Sequence, residues 1–466
     1  MKISAQLSLL FTAFLFNLNV SFAQDNTLTK AYKEQVIESL SRLMNNHYVF
    51  PDVAKQTEEH LKTQLIKGYF DQFENDEDFA NALTESVQSV NKDKHMRIRV
   101  NKQYEAPKQT PERMIEEQLD WIDQSRRNNA GFVDVKILDE NVGYLDLRGF
   151  AGMEIGKPVA DAYMKLMSRT DAVIIDLSKN GGGSPAMVQY LCSYFFDKKL
   201  HLNSLYWREG DRTDEFWTLE QVGGTKMPDV PLFVITSNRT FSGAEEFSYN
   251  MQTQKRATLV GQTTGGGANP GGGFNINENL TVFIPTGRAI NPITKTNWEG
   301  VGVIPEEETS ADGAFDKAYE LAKQSAINYR SERNKKHSKM LMDLYSSLDH
   351  YESERSETLI LKNISNCQKA GLLEEGDINA LGYDYLMGRN SPKIALCIFK
   401  ANTMLFPNSA NVFDSYAEAL LANGDSESSL KNYQKAVDVA LTNGDGNAEI
   451  FKNNLEKAKQ KLNTKQ

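Results

Sequence analysis

PLFVIT (231–236), followed four residues later by TFSGAEEF (240–247), decides how the middle of this chain folds. A run of large apolar and β-branched residues reads as a buried strand. Ser242 with Glu245 three positions on spells S-x-x-E, the capping box that opens a helix. Strand, tight turn and helix therefore follow one another closely. The serine itself has two readings. As a cap it is structural; at a strand-to-helix turn, with helix N–H groups beside its hydroxyl, it stands where an acyl-transfer nucleophile stands. The motif alone does not choose between them.

The flanking sequence repeats the pattern. VGYLDLRGF (142–150) reads as a strand and VADAYMKLM as a helix. AVIIDL reads as a buried strand that runs into the loop SKNGGGS and a helix from about Pro185. ATLVG runs into TTGGGANPGGG; NLTVFIPTG and the segment around NWEGVGVIP complete the set. Strands followed by helices, with glycine-rich loops at the strand ends, predict an α/β core built on a mixed, partly parallel sheet, with its site at the carboxyl ends of the strands. Ahead of it, residues 28–90 carry helical periodicity broken at Pro51, a small N-terminal helical domain. KDKHMRIRV then alternates like a strand, and helical character returns from about Pro111 to Arg127.

Beyond about Phe315 the chain reads as helical to its end, and it repeats. Ala395, Phe399 and Asn402 recur 34 residues later as Ser429, Tyr433 and Ala436, with Gly388 and Gly424 in the preceding turns and Pro407 closing the first unit. That is the tetratricopeptide period, with small and aromatic residues where paired helices pack closely. An all-α tetratricopeptide-like C-terminus is expected, its concave surface a place for a protein partner.

Composition limits the classes of function. Hydrophobic residues at 40% and charged residues at 24% of 466 predict globular domains, and a net charge of −10 gives no electrostatic reason to expect nucleic acid as a partner. Lys2, an apolar stretch from Leu7 to Phe16 and the small-residue site Ser21-Phe22-Ala23 read as an export signal, with a mature chain from Gln24. No later stretch approaches the about twenty apolar residues of a membrane span, so stable membrane insertion is not expected. Cys192, Cys367 and Cys397 are too few and too scattered for a disulfide framework or a metal site, and read as buried small hydrophobes. The expected organisation is a signal segment over 1–23, the helical domain over 24–92, the core over 93–330, a helical linker over 331–375 and the repeats over 376–466.

A serine nucleophile needs a base and donors for the oxyanion. Of six histidines, His47 and His60 fall in the helical front, His201 on an edge, and His337 and His350 in polar helices. His95 opens HMRIRV where the helical unit meets the core, a natural place for a group to face a cleft, though a histidine satisfied at a strand start fits the same position. Gly243 N–H, directly after the serine, is one oxyanion donor; the second is expected from NGGGS, at Gly182. GGGSPA also fits a weak dinucleotide-binding pattern, but no acidic residue ends a second strand about twenty residues on, and no Lys-Ser or Lys-Thr completes a phosphate loop. Asp176 and Asn180 are expected to shape the glycine loop rather than react.

DLSKNGGGS, TFSGAEEF, KRATLVGQTTGGGANP and NWEGVGVIPE, in this order, resemble the catalytic core of the C-terminal processing peptidase and tricorn superfamily of serine proteases. NNHYVFPDVA and KDKHMRI resemble the branch that includes interphotoreceptor retinoid-binding protein. The resemblance spans about residues 28–325 and implies a ClpP/crotonase-like fold. It also implies an exported serine-type peptidase, periplasmic or secreted, that hydrolyses peptides or unfolded proteins with no metal or organic cofactor. In the tail-specific branch the base is a lysine, but Gly267 stands at that position. In the tricorn-like branch it is a histidine ahead of the core, matching His95, supported by a glutamate matching Glu299. Such a protease carries a serine directly before the histidine. This chain has Lys94 there, which leaves the link to Glu299 to Asp93 or a water. Only about forty-five residues separate His95 from Val142, too few for the peptide-binding PDZ domain of the tail-specific branch. The rival expectation is a non-catalytic protein on the same fold, carrying apolar ligands or acting as a scaffold.

Overall fold

In this computed structural model, which describes residues 28–101, 110–352 and 354–463, the chain forms two compact units, 1–326 and 327–466. The expected export signal lies outside the described residues.

The first unit begins with three helices, two of them capped by a side chain. The Thr29 hydroxyl accepts the Tyr32 N–H at the start of α1 (Lys30–His47); Pro51, preset for a helical φ, opens α2 (Pro51–Ile66); Asn75 accepts the Asp78 N–H ahead of α3 (Asp76–Asn91). The strand expected over HMRIRV is shorter, β1 (Ile98–Val100), and His95 lies in a turn before it. Asp93 makes that turn: its Oδ1 accepts the His95 N–H at 3.1 Å and its carbonyl the Met96 N–H at 3.2 Å. Then follow α4 (Pro111–Arg127), β2 (Phe132–Leu138), β3 (Val142–Leu147), α5 (Met153–Met167), β4 (Ala172–Asp176) and α6 (Pro185–Ser193). The hairpin β5 (His201–Trp207) and β6 (Arg212–Trp217) precedes β7 (Leu232–Thr236), α7 (Gly243–Thr253) and β8 (Thr258–Gly261). Strands β9 (Gly271–Asn275), β10 (Leu280–Pro285), β11 (Gly287–Ile290) and the two-residue β12 (Glu307–Glu308) follow.

The main sheet runs β12-β8-β7-β4-β3-β2, parallel from β12 to β3 with β2 antiparallel at its edge. This is the mixed, partly parallel sheet read from the sequence. Strands β4, β7 and β8 lie side by side and point the same way, so their three loops, SKNGGGS, SNRTFS and QTTGGGANP, emerge at one end. On one face of the sheet, Ala314, Ala318, Ala322 and Ala326 of α8 (Ala314–Asp349) form a stripe of small residues packed on Val142, Ile174, Phe233, Ile235 and Val260. A second sheet, β1-β10-β9, joins the helical front to the core, because Leu280, Val282 and Ile284 of β10 are buried in one cluster with Val36, Ile37, Leu40, Phe79 and Leu83.

In the second unit, α10 (Glu375–Tyr383), α11 (Pro392–Leu405), α12 (Ala410–Ala422), α13 (Ser426–Asn443) and α14 (Ala448–Asn463) each pack on the next, while α9 (Glu354–Lys369) packs on α11. Ala395, Phe399, Asn402, Ser429, Tyr433 and Ala436 are all buried, and a Cβ on Gly382 would strike the Phe399 ring. The 34-residue recurrence therefore marks packing positions. Leu344, Leu348, Ile360 and Ile364, within the stretch expected as a linker, share one core with Tyr385, Ile398 and Phe399. Among the described residues no helix is long and apolar enough to cross a membrane. The three cysteines are free and buried.

Candidate active site

The turn between β7 and α7 is held from the neighbouring strand. Thr240 Oγ1 accepts the Ser237 N–H and donates to the Leu177 carbonyl at 2.8 Å, and Phe241 N–H donates to the Asn180 carbonyl at 3.0 Å. Ser242 is thereby fixed at φ 52° and ψ −120°, the first central position of a type II′ turn, which glycine ordinarily takes. Such a conformation costs on the order of 1–3 kcal/mol and persists only where the surroundings impose it. One of those surroundings is Glu245, whose Oε2 accepts the Ser242 N–H at 2.9 Å. The same fully buried carboxylate also accepts the Thr264 hydroxyl, Gly266 N–H at 2.6 Å and Gly267 N–H at 2.8 Å. The residue that reads as half a capping box therefore ties the serine's turn to the loop after β8.

The glycine loop after β4 lies against the serine. A Cβ on Gly182 (φ 104°) would come within 2.9 Å of Ser242 Cβ and 2.7 Å of Gly243 N, so only glycine fits there. Asn180, fully buried, organises this loop: its Nδ2 donates to the Leu147 carbonyl at 2.9 Å and its Oδ1 accepts the Gly182 N–H at 2.8 Å. That second bond corrects one expectation, because Gly182 N–H, read as an oxyanion donor, is already engaged. Gly183 N–H and Gly243 N–H have no hydrogen-bond partner among the described residues, and Gly183 N lies 3.1 Å from where a Cβ on Gly243 would be.

His95, Glu299 and Asp93 form a second group. Each offers an atom within 4.8 Å of the others, a spacing and donor set that could also hold a metal ion. His95 Nδ1 is 3.8 Å from Asp93 Oδ1. Asp93, wholly buried, also takes hydrogen bonds from Asn269 Nδ2 at 2.9 Å and Tyr48 Oη at 3.5 Å. Glu299 Oε2 accepts the Ala268 N–H at 2.6 Å, while Glu299 Oε1 and His95 Nδ1 are buried without a hydrogen-bond partner. Trp298 Nε1 donates to the Gly267 carbonyl at 2.8 Å and holds the loop beneath the histidine. Lys94, in the place of the expected serine, donates to the Gly265 carbonyl at 2.6 Å.

Phe241 joins the two groups: its backbone belongs to the serine's turn and its ring lies 4.6 Å from the His95 ring. No hydrogen bond between Ser242 and His95 is made among the described residues. The sequence points to Ser242, Gly243, His95 and Glu299 as candidates but gives no role to Phe241, Asn269 or Trp298, and offers Glu245 only as a cap. An acidic residue three positions after the serine was the one available signal, and it is indistinguishable from a capping box.

Residues 141–309 match the family model described as Peptidase family S41, and residues 23–133 match that of the N-terminal domain of Peptidase_S41 in eukaryotic IRBP. The chain belongs to peptidase family S41. It is a serine-type peptidase, a hydrolase whose substrates are peptides or proteins. Among solved structures, the S41 chain is similar to a putative peptidase from Parabacteroides merdae, at 18% identity over 62% of this chain and 96% of that one, with a TM-score of 0.46. It is also similar to the photosystem II D1 C-terminal processing protease, at 12% identity, 60% and 93% coverage and a TM-score of 0.38. The tricorn protease matches at 12% identity, 64% and 37% coverage and a TM-score of 0.38.

The electrostatics of this S41 site follow from burial. Loss of solvent, and secondarily the charge of Arg97, hold His95 at about 4, so its imidazole is neutral near pH 7. Burial raises both Asp93 and Glu299, and for Glu299 the nearby Asp93 charge adds to it, so this pair favours holding a proton between them. Glu245 is also raised by burial, opposed by its hydrogen bonds to Thr264, Gly267, Gly266 and Ser242.

Proposed function

We propose that this S41 peptidase is exported and cleaves peptide bonds with Ser242 as nucleophile and His95 as general base. The observation that carries the reading is the backbone of Ser242, a non-glycine residue held in a glycine conformation at a strand-to-helix turn. A serine that only capped a helix would have extended backbone there. Ser242 Oγ attacks the substrate carbonyl carbon and its proton passes to His95. Nδ1 faces Asp93, so Nε2 is the nitrogen that receives it. The carbonyl oxygen becomes an oxyanion in reach of Gly243 N–H and Gly183 N–H, a pair that replaces the one first expected. As the tetrahedral intermediate collapses, the C–N bond breaks and His95 returns the proton to the leaving amine. A water then hydrolyses the acyl-enzyme by the same steps in reverse order.

Asp93 and Glu299 orient the imidazole and balance the charge it gains; they act through His95 and do not touch the reacting atoms. The leader-like residues 2–23 support export, to a periplasmic or secreted location. The paired helices of the second unit supply, on this reading, a surface for a protein partner. Ser242→Ala should abolish hydrolysis of an unfolded protein substrate while the melting temperature stays within a few degrees, since one hydroxyl at a half-exposed site contributes little packing. Undiminished turnover by a folded Ser242→Ala protein would refute the assignment.

A further inference from the structure

His95 opens onto a cleft of about 450 Å³ whose charge is one-sided. Lys94, Arg97 and Arg99 line it with Phe241, Thr281 and Phe283, and no carboxylate does. The strand register explains the arrangement: Arg99 pairs with Thr281 across β1 and β10, while Ile98 and Val282 turn into the core on the opposite face. Lys94 is engaged with the Gly265 carbonyl, and Arg97 spends its Nε on the Lys94 carbonyl at 3.2 Å. Among the described residues neither guanidinium forms an ion pair; Glu77 and Glu85 of α3 line the groove on the other side of Arg97 and Arg99 but are not within ion-pairing distance. Two unpaired guanidiniums, in a chain of net charge −10, thus stand beside an aromatic wall next to the base.

We infer that this cleft is a specificity subsite for a substrate carboxylate on the leaving-group side of the scissile bond, with Arg97 and Arg99 as its ligands. The inference rests on the proposed role of His95: the base that protonates the leaving amine lies on the leaving-group side, so the cleft beyond it receives that half of the substrate. The planar forks of arginine suit a carboxylate, and the Phe241 and Phe283 rings offer an apolar wall beside the exposed guanidiniums for the rest of that substrate half. The carboxylate is supplied either by an aspartate or glutamate side chain or by the end of the substrate chain.

Four fluorescent peptides of one sequence separate these sources: with glutamates or glutamines after the cleavage position, and with a free or amidated C-terminus. Their binding is read by anisotropy on full-length Ser242→Ala protein, which requires no turnover, with and without Arg97→Gln and Arg99→Gln. The fully neutral peptide should bind roughly three- to tenfold more weakly than the fully acidic one, a gap that closes in high salt and in the double arginine variant. A gap set by glutamate assigns the side chain, and one set by the free terminus assigns the chain end. Equal binding of all four peptides, no binding of any, or discrimination that survives the arginine substitutions overturns the inference. Wild-type protein that discriminates in binding yet hydrolyses nothing would count against the catalytic reading and leave the subsite standing.

Discussion

A Cβ on Gly267 would lie 2.6 Å from His95 Cε1 and would run into the ring of Phe241. The place where the tail-specific branch carries its lysine is thus filled in this chain by the histidine and the aromatic ring packed on it. Glycine at 267 is what leaves room for the imidazole and the ring packed on it.

Gly267→Ala should therefore reduce kcat by at least about tenfold, with a stability loss of about 1–3 kcal/mol from overpacking. Gly267→Lys should be inactive as well, because the side chain displaces His95 without gaining a site prepared for it. Peptide turnover and thermal melts of both variants check this; wild-type turnover by Gly267→Ala would mean that the histidine need not stay where it is.

Activity should persist well below the usual histidine range. With His95 held at about 4 by burial first and Arg97 second, the acid limb of kcat/KM should fall near pH 4 rather than near 6.5. Arg97→Gln should move that limb upward. The same shift bears on stability. The unfolded chain titrates this histidine near 6.5 and the folded one at about 4, so stability is full above about pH 6.5. It declines by about 3 kcal/mol as pH falls to about 4, and His95→Gln should remove that part of the slope. Denaturant melts across this window, compared between the two proteins, measure it.

Glu245→Gln should be among the most damaging conservative changes in the first unit. Its carboxylate accepts from Ser242, Gly266, Gly267 and Thr264, and an amide presents N–H to at least one of those donors. A loss of roughly 2–4 kcal/mol is expected, together with near-complete loss of turnover, because Ser242 and the loop under His95 are released together. Retained activity at wild-type stability would show that the turn holds itself.

The groups assigned to catalysis all precede residue 300, so a chain ending at about residue 330 should still hydrolyse a short peptide. A cut near residue 374 would instead leave Leu344, Leu348, Ile360 and Ile364 without the helices they pack on, and should aggregate. Solubility and peptide turnover of the two truncations distinguish these outcomes.

What the sequence disclosed was what lies in contiguous motifs. The elbow and the glycine loop each lie within a few residues, so Ser242 and Gly243 are legible as candidates from local pattern, whereas Glu299 is legible only through the resemblance that NWEGVGV carries. The surroundings of His95 were not. Asp93 meets Asn269 across 176 residues of chain, and Lys94 meets Gly265 across 171; no local pattern announces either. NGGGS points to Gly182 as a donor, but its N–H is claimed by the Asn180 side chain, a matter of rotamer rather than of spacing. Alternation through HMRIRV predicts a longer strand than the one at 98–100, because the Asp93 turn takes His95 out of it.

The reactivity of one hydroxyl tests the central claim most directly. Full-length protein is treated with a serine-directed phosphonate, digested, and the modified residue mapped by mass spectrometry, beside His95→Gln and heat-unfolded controls. The account predicts a single adduct on Ser242, greatly slowed in His95→Gln and absent from the unfolded chain. A folded protein that hydrolyses peptide while Ser242 remains unmodified, or that carries its adduct on another residue, would contradict it.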